Sequence, residues 1–152
     1  MIQTRLARAL RDAVVPLISR PAYIQVAALC LRSKNGKQQV LMIRSLGTGR
    51  WILPKGWPMD GRSLAEAALQ EAWEEAGVQG SVAPEPVGHY SYSKIAEGGM
   101  ALPTTVHVYA VAVDRLADSF PESARRKRKW MAPAKAAERV NEPGLRDLLA
   151  AL

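Results

Sequence analysis

The segment between Ser63 and Gly77 carries the signal that most constrains the fold. Ser63 is followed three residues later by Glu66, a capping-box pattern that begins helices. Gly77 is placed where a left-handed residue ends a helix. These signals predict a helix over about Leu64–Ala76. Apolar residues recur along one stripe of this helix, and three glutamates lie roughly opposite: Glu71, Glu74 and Glu75.

Short β-rich runs surround this helix on both sides. They are predicted as strands at about 22–32, 40–43, 51–53, 87–94 and 104–113. Asn35 and Gly36 form a hairpin signal between the first two runs. Pro133 suits the first turn of another helix, which is expected to continue through Val140. In a chain of 152 residues this mixture predicts one α/β sandwich-like domain.

The first twenty residues are expected to be an N-terminal helix or flexible extension, and 21–152 the main domain. In the first twenty residues, apolar residues recur at helical spacing, but three arginines interrupt the continuous apolar run that a secretory signal needs. A transit-like amphipathic peptide is the alternative. No run approaches the ~20 apolar residues of a membrane-spanning helix. The single cysteine, Cys30, lies in an apolar run, which predicts a buried thiol in a reducing, cytoplasmic setting.

The three glutamates are spaced i, i+3 and i+4, so their carboxylates share one sector of the helix. Such like charges repel, and the carboxyl end of a helix further disfavours anions. A solvated acidic face is one interpretation. Lys55 and Gly56 precede the helix and offer a cation and close backbone approach. Clustered carboxylates are ligands that Mg²⁺ prefers, and Mg²⁺ commonly joins them to phosphates, which indicates metal-assisted phosphoanhydride cleavage.

Residues 56–78, GWPMDGRSLAEAALQEAWEEAGV, resemble the 23-residue box of the Nudix family. The box reads G, five residues, E, seven residues, REUxEExGU, where U is a bulky apolar residue. The matching positions are Gly56, Glu71, Glu74, Glu75, Gly77 and Val78, with Ala72 as a small apolar substitute. Arg62 replaces the first glutamate of the box, and Gln70 replaces its arginine. Looser similarity at 28–33, 50–56 and 126–130 is closest to diphosphoinositol polyphosphate phosphohydrolases and dinucleoside polyphosphate hydrolases.

The resemblance implies a Nudix fold, an α/β/α sandwich with a mixed β-sheet. It also implies that Mg²⁺ or Mn²⁺ is held by Glu71, Glu74 and Glu75 with Gly56. A carboxylate would take the proton of the attacking water. Glu75 or Glu74 is assigned that role, and Glu97 is a weaker candidate.

Five consecutive cations at 125–129 contribute much of the net charge of +7. A polyphosphate pocket, a plain solvated surface and a nucleic-acid patch are the alternatives, and the absence of a recognised nucleic-acid module argues against the last. By resemblance, the substrate-binding candidates are Arg32, Arg44, Arg50, Lys55, Lys127 and Arg128. Strand alternation sends neighbouring side chains to opposite faces, so the run cannot act as five ligands.

The leading hypothesis is a Mg²⁺-dependent hydrolase of a small anionic phosphorylated substrate, either a dinucleoside polyphosphate or a diphosphoinositol-type compound. One alternative is a Nudix-fold binding module with weakened catalysis, motivated by Arg62 and Gln70. Another is trimming of triphosphate from RNA 5′ ends. The sequence leaves the oligomeric state open.

Overall fold

The computed structural model describes residues 23–152. The helix or extension expected at 1–20 lies outside the described residues. The strands are β1 (Tyr23–Lys34), β2 (Lys37–Arg44), β3 (Trp51–Ile52), β4 (Lys55–Gly56), β5 (Val78–Val82), β6 (Gly88–Ile95), β7 (Ala101–Leu116) and β8 (Arg128–Met131). The helices are α1 (Leu64–Ala76), α2 (Pro133–Arg139) and α3 (Pro143–Ala150), and a 3₁₀ turn spans Glu97–Gly99.

The strands of the described part of the chain form one mixed sheet. Its main path runs β3-β2-β1-β7-β5, with β4 on β1, β6 on β7 and β8 on β2. β1 and β7 run parallel, whereas the other pairs are antiparallel. The predicted hairpin between β1 and β2 is confirmed, because Asn35 and Gly36 both have positive φ, at 53° and 74°.

Helices cover both faces of the sheet, as the predicted α/β/α sandwich requires. Along β1, Val26, Ala28 and Cys30 pack in the core cluster that includes α1. The alternating Ala27 and Leu29 pack in the opposite cluster, with residues of α2 and α3. A central strand buried on both faces needs a nearly continuous apolar run, which is what β1 has.

Three strands and one helix go beyond the elements predicted from the sequence. β4 is only two residues long, and β5 contains a glycine and begins one residue after the helix-ending Gly77. β8 begins within the basic run and continues through Trp130 and Met131, and it pairs with β2. α3 begins at Pro143, a favourable first-turn residue. These elements depend on long-range pairing or packing, which local patterns register weakly.

Candidate active site

The helix that carries the glutamates is fixed at both ends. At its start, the Ser63 hydroxyl accepts a hydrogen bond from the Glu66 amide at 3.1 Å, and the Ser63 amide donates to the Glu66 carboxylate at 3.0 Å. At its end, Gly77 has φ 68°. Arg128 Nη1 donates to the Ala76 carbonyl at 2.6 Å. The predicted helix boundaries are confirmed, and the glutamates therefore occupy defined positions.

Gly56 brings β4 against the side chain of Glu71. A Cβ added at Gly56 would overlap both oxygens and the carboxyl carbon of Glu71. The strand can pass this close because glycine has no side chain. β4 is itself paired with β1, where Gly56 lies opposite Val26. The sheet and the helix thus hold the Glu71 carboxylate in a fixed place beside the chain.

Glu75 lies one helical turn further along and is buried. Its Oε2 accepts a hydrogen bond from the Lys55 amide at 3.2 Å. Its Oε1 lies 3.4 Å from Nη2 of Arg126. Glu75 is therefore held by a strand amide on one side and a guanidinium on the other.

Arg126 was not among the predicted site residues, although its neighbours in the basic run were. Its side chain is only 8% exposed. Nη1 donates to the Arg44 carbonyl at 2.9 Å, and Nε lies 3.4 Å from Glu122 Oε1. Arg126 precedes β8, so the alternation of side chains along a strand does not predict which way its side chain points. A run of like charges could not show from sequence alone which member turns inward.

These groups line a cleft of about 500 Å³. Its charged lining residues are Lys55, Glu71, Glu75, Lys94 and Arg126, and the remaining lining includes Gln25, Ser45, Ile52, Gly56 and Trp57. Lys94 and Trp57 were also not predicted, and they contact each other, with Lys94 Nζ 5.5 Å from the indole ring centroid. Carboxylates and cations thus line the same cleft, an arrangement suited to a metal ion and anionic oxygens.

Burial perturbs the ionisation of the groups in this cleft. Burial, followed by repulsion from Glu75 and Glu74, raises the pKa of Glu71 to about 8. Burial also raises the pKa of Glu75, opposed by the guanidinium of Arg126. Burial lowers the pKa of Lys55, and attraction to Glu75 opposes that change. A cation between the carboxylates would favour their ionised forms.

Glu74 is oriented differently from the other two glutamates and does not line the cleft. Its Oε1 accepts a hydrogen bond from Gln70 Nε2 at 3.0 Å, and Gln70 Oε1 accepts from Arg62 Nη1 at 3.2 Å. Arg62 and Gln70, the two departures from the box, are therefore in direct contact and connect the loop to Glu74.

Within residues 23–152, no group of three or more His, Cys, Asp or Glu side chains is arranged as a ready-made metal site. Glu71 and Glu75 nevertheless line the same cleft, and Gly56 leaves room for the carboxylate of Glu71. Hard oxygen donors with raised pKa values beside an open cleft fit a divalent cation that keeps several waters. Glu71 and Glu75 are the residues that would hold it.

The predicted basic residues are divided between the cleft and other surfaces. Lys55 lines the cleft, and Arg50 lines an adjoining cavity. Arg44 donates to the Gly49 carbonyl at 2.8 Å and lies 4.6 Å from the Trp51 ring centroid. Its backbone carbonyl holds Arg126, so Arg44 supports the cleft without lining it.

The other predicted contacts lie outside the cleft. Arg32 lies 4.2 Å from the Trp130 ring centroid and lines a separate cavity with residues of β5 and β7. Lys127 is exposed. Arg128 points to the end of α1. Glu97 is exposed in the 3₁₀ turn and lines neither the cleft nor its adjoining cavity.

The adjoining cavity has a volume of about 330 Å³. It shares four lining residues with the cleft: Ser45, Ile52, Lys55 and Lys94. Beyond this shared wall it is lined by Arg50, Tyr92 and Glu142, among others. Glu142 directly precedes α3 and was not predicted as a site residue. The cleft and the cavity are therefore neighbours.

Comparison with known proteins identifies the family. Residues 23–152 match the sequence description of the NUDIX domain. Nudix hydrolase 21, chloroplastic, from Arabidopsis thaliana is 34% identical over 124 residues, which are 77% of this chain and 58% of that protein. Diphosphoinositol polyphosphate phosphohydrolase 3-beta from Homo sapiens is 29% identical over 108 residues, or 70% of this chain and 62% of that protein. The chain thus spans about three fifths of the length of these relatives.

Solved structures agree on the fold. The Ap4A hydrolase of C. elegans has a TM-score of 0.64 at 21% identity, covering 85% of this chain and 94% of that one. The NUDIX domain of Shewanella oneidensis NrtR, complexed with ADP ribose, has a TM-score of 0.64 at 16% identity, covering 91% and 94%. The chain belongs to the Nudix family of hydrolases. Its described residues contain no helix long and apolar enough to cross a membrane.

Proposed function

We propose that this chain is a divalent-metal-dependent hydrolase that cleaves a phosphoanhydride bond in a small anionic substrate. The observation that carries the proposal is that Glu71 and Glu75 line one cleft together with Lys55, Lys94 and Arg126. The carboxylates suit a metal ion, and the cations suit the oxygens of a polyphosphate. Membership of the Nudix family supports the same reaction class.

The groups of the cleft have different roles in this reaction, and Glu75 is assigned two of them, as a metal ligand and as the acceptor of the water proton. Bound Mg²⁺ or Mn²⁺ would neutralise phosphoryl charge and lower the pKa of a bound water. Glu75 is placed at the cleft and is the better candidate to accept the proton of the attacking water. Glu74, also assigned from the family resemblance, is joined to the loop through Gln70 and positions the helix. Lys55 and Lys94 orient the phosphates.

The substrate class follows from the anionic character of the expected ligand. Dinucleoside polyphosphates and diphosphoinositol compounds both present several phosphates to a cationic cleft. The names of the relatives include a diphosphoinositol polyphosphate phosphohydrolase and an Ap4A hydrolase. We place the protein in the cytoplasm, a proposal supported by the buried, unpaired thiol of Cys30. Two of the relatives are named as chloroplastic and mitochondrial proteins.

The test is a substrate panel with Mg²⁺ and Mn²⁺, with excess chelator as the metal-free condition. The panel contains nucleotide sugars, nucleoside triphosphates, dinucleoside polyphosphates, diphosphoinositols and triphosphate RNA. Hydrolysis that needs the metal and falls at least ~100-fold in Glu75→Gln is expected, because the change removes a transition-state interaction.

Glu138→Gln is the matched control, because Glu138 is an exposed glutamate on α2. It should retain wild-type activity and the same thermal stability. Full activity of Glu75→Gln, or full activity in chelator, would contradict the metal mechanism. Binding without hydrolysis of any compound would favour a Nudix-fold binding module, and activity on triphosphate RNA alone would favour 5′-end trimming.

A further inference from the structure

Two histidines lie directly opposite each other on neighbouring strands. His89 in β6 pairs with His107 in β7 in the antiparallel register. Residues directly opposite in such a pair have Cβ atoms about 4.5–5.5 Å apart and share one face of the sheet. The centroids of the two imidazole rings are 6.3 Å apart, and the ring planes are inclined by 36°. The fold therefore brings together two metal-ligating side chains that are distant in the sequence.

The histidine pair lies on a solvent-accessible face of the β6–β7 hairpin. His89 is exposed, and His107 is half-buried. One row further along the same face, Ser91 lies opposite Thr105, and their hydroxyl oxygens are 3.4 Å apart. A row of two imidazoles is thus followed by a row of two hydroxyls. Neither row lines the cleft that carries the glutamates.

The separation of the two rings fits a shared metal ion. A metal–imidazole bond is about 2.0–2.1 Å long, which limits the centroids of two ligating rings to a separation of about 6.5 Å. The observed 6.3 Å lies inside that limit. The terminal torsion of a histidine is soft, so a nitrogen of each ring can turn toward a common point. Imidazole is a ligand favoured by Zn²⁺, Ni²⁺ and Cu²⁺, whereas Mg²⁺ favours carboxylates and water.

We propose that His89 and His107 form a surface site for a divalent transition-metal ion, separate from the carboxylate cleft. The ion would join β6 to β7 across the hairpin whose Lys94 lines the cleft. Because the two imidazoles come from paired strands, the sheet already holds them close together, and the second metal–nitrogen bond forms within one molecule.

Water completes the coordination of the ion in this site. Among residues 23–152, no third His, Cys, Asp or Glu joins the pair to make a larger metal-binding group. The hydroxyls of Ser91 and Thr105 provide hydrogen-bond partners for metal-bound waters. A structural zinc site is closed by four protein ligands. Two protein ligands instead define a site whose ion exchanges with the solution.

The test titrates Zn²⁺ into the full chain by isothermal titration calorimetry at pH 7.5, with excess Mg²⁺ present to compete at the cleft. His89→Ala and His107→Ala are compared with Ser93→Ala, which changes another exposed residue of β6. Each histidine variant should weaken Zn²⁺ binding at least ~10-fold, because two linked ligands bind far more tightly than one. Ser93→Ala should match the wild type.

Nuclear magnetic resonance provides a second readout that needs no variant. The chain contains two histidines in total, so its imidazole signals report on this pair alone. One equivalent of Zn²⁺ should shift the signals of both rings along the same titration curve, and EDTA should reverse the shift. This measurement on the wild type decides the question even where a histidine variant fails to fold.

Three results would overturn the inference. The first is an absence of Zn²⁺-induced change in the imidazole signals, and the second is a change confined to one ring. The third is Zn²⁺ binding that a folded His89→Ala or His107→Ala variant weakens less than ~10-fold. Hydrolysis by the cleft is measured separately, so the failure of either proposal leaves the other standing.

Discussion

Replacing Gly56 by alanine tests how closely β4 and α1 are fitted around the proposed metal site. The new Cβ would overlap the carboxyl group of Glu71, because both oxygens and the carboxyl carbon would lie less than 3.0 Å from it. The backbone itself is not strained by alanine, because Gly56 does not have a positive φ. The carboxylate must therefore move by roughly 1 Å, and a misplacement of that size can cost about 100-fold in rate. This factor corresponds to about 2.7 kcal/mol in the activation free energy.

The assay follows kcat and the Mg²⁺-dependent rise in melting temperature. Gly56→Ala should lower kcat about 100-fold and abolish most of the Mg²⁺ shift. Its metal-free free energy of unfolding should change by less than about 1 kcal/mol, because alanine also reduces the entropy of the unfolded chain. Gly47→Ala is the control for the melting measurements, since a Cβ at Gly47 meets no atom within 4 Å. An undiminished Mg²⁺ shift in Gly56→Ala would refute the assignment of Glu71 as a ligand.

Three further predictions concern the surroundings of the cleft. In a double-mutant cycle, Arg62→Glu with Gln70→Arg should show coupling above about 0.5 kcal/mol in stability or activity, because the two side chains are in contact; smaller coupling would mean that other contacts hold the loop. The Mg²⁺-induced melting shift should grow as pH rises from 6 to 9, because protons compete with the metal for Glu71, whose pKa is raised to about 8; a pH-independent shift would contradict this. Arg126→Gln should lower the free energy of unfolding by about 2 kcal/mol or more in urea titrations, because it leaves buried Glu75 without its guanidinium. The control Arg125→Gln, at a side chain that is 64% exposed, should change the free energy of unfolding by less than about 0.5 kcal/mol. Equal effects of the two substitutions would show that the ion pair of Arg126 with Glu75 does not stabilise the fold.

The sign of the pH prediction follows from the direction of the Glu71 shift. A carboxyl whose pKa is raised in the folded state binds its proton more tightly there than in the unfolded chain. Metal-free stability from Glu71 is therefore lost as pH rises from the ordinary carboxyl range to about 8. Metal-dependent stabilisation is gained over the same window, so the two curves should diverge.

Local signals in the sequence were sufficient for the elements that are stabilised locally. The capping box at Ser63 and the left-handed Gly77 define α1 without reference to the rest of the chain. The hairpin at Asn35 is similar, because its turn chemistry fixes the pairing of β1 with β2. By contrast, β5 and β8 exist because β7 and β2 provide their partners, which are distant in sequence.

The candidate site could be predicted where its residues share one element or belong to the fixed spacing of the box and the residue before it. Glu71 and Glu75 are brought together by helical periodicity, and Gly56 by the spacing of the box. Arg126 reaches the cleft and Glu142 the adjoining cavity through loops whose direction depends on the packed sheet. The density of charge in the basic run predicts Lys127 as a site residue, but Arg126 is the member of the run that is buried in the cleft and paired with Glu75.

The most direct measurement is anomalous X-ray scattering from crystals of the full chain soaked with Mn²⁺. We expect a metal peak in the cleft, bound by carboxylate oxygens of Glu71 and Glu75 at roughly 2.1 Å, close to the distance for small hard divalent cations. The peak should disappear in Gly56→Ala. A peak elsewhere on the molecule, or an empty cleft in crystals of an enzyme that is active with Mn²⁺, would show that these two glutamates do not form the catalytic metal site.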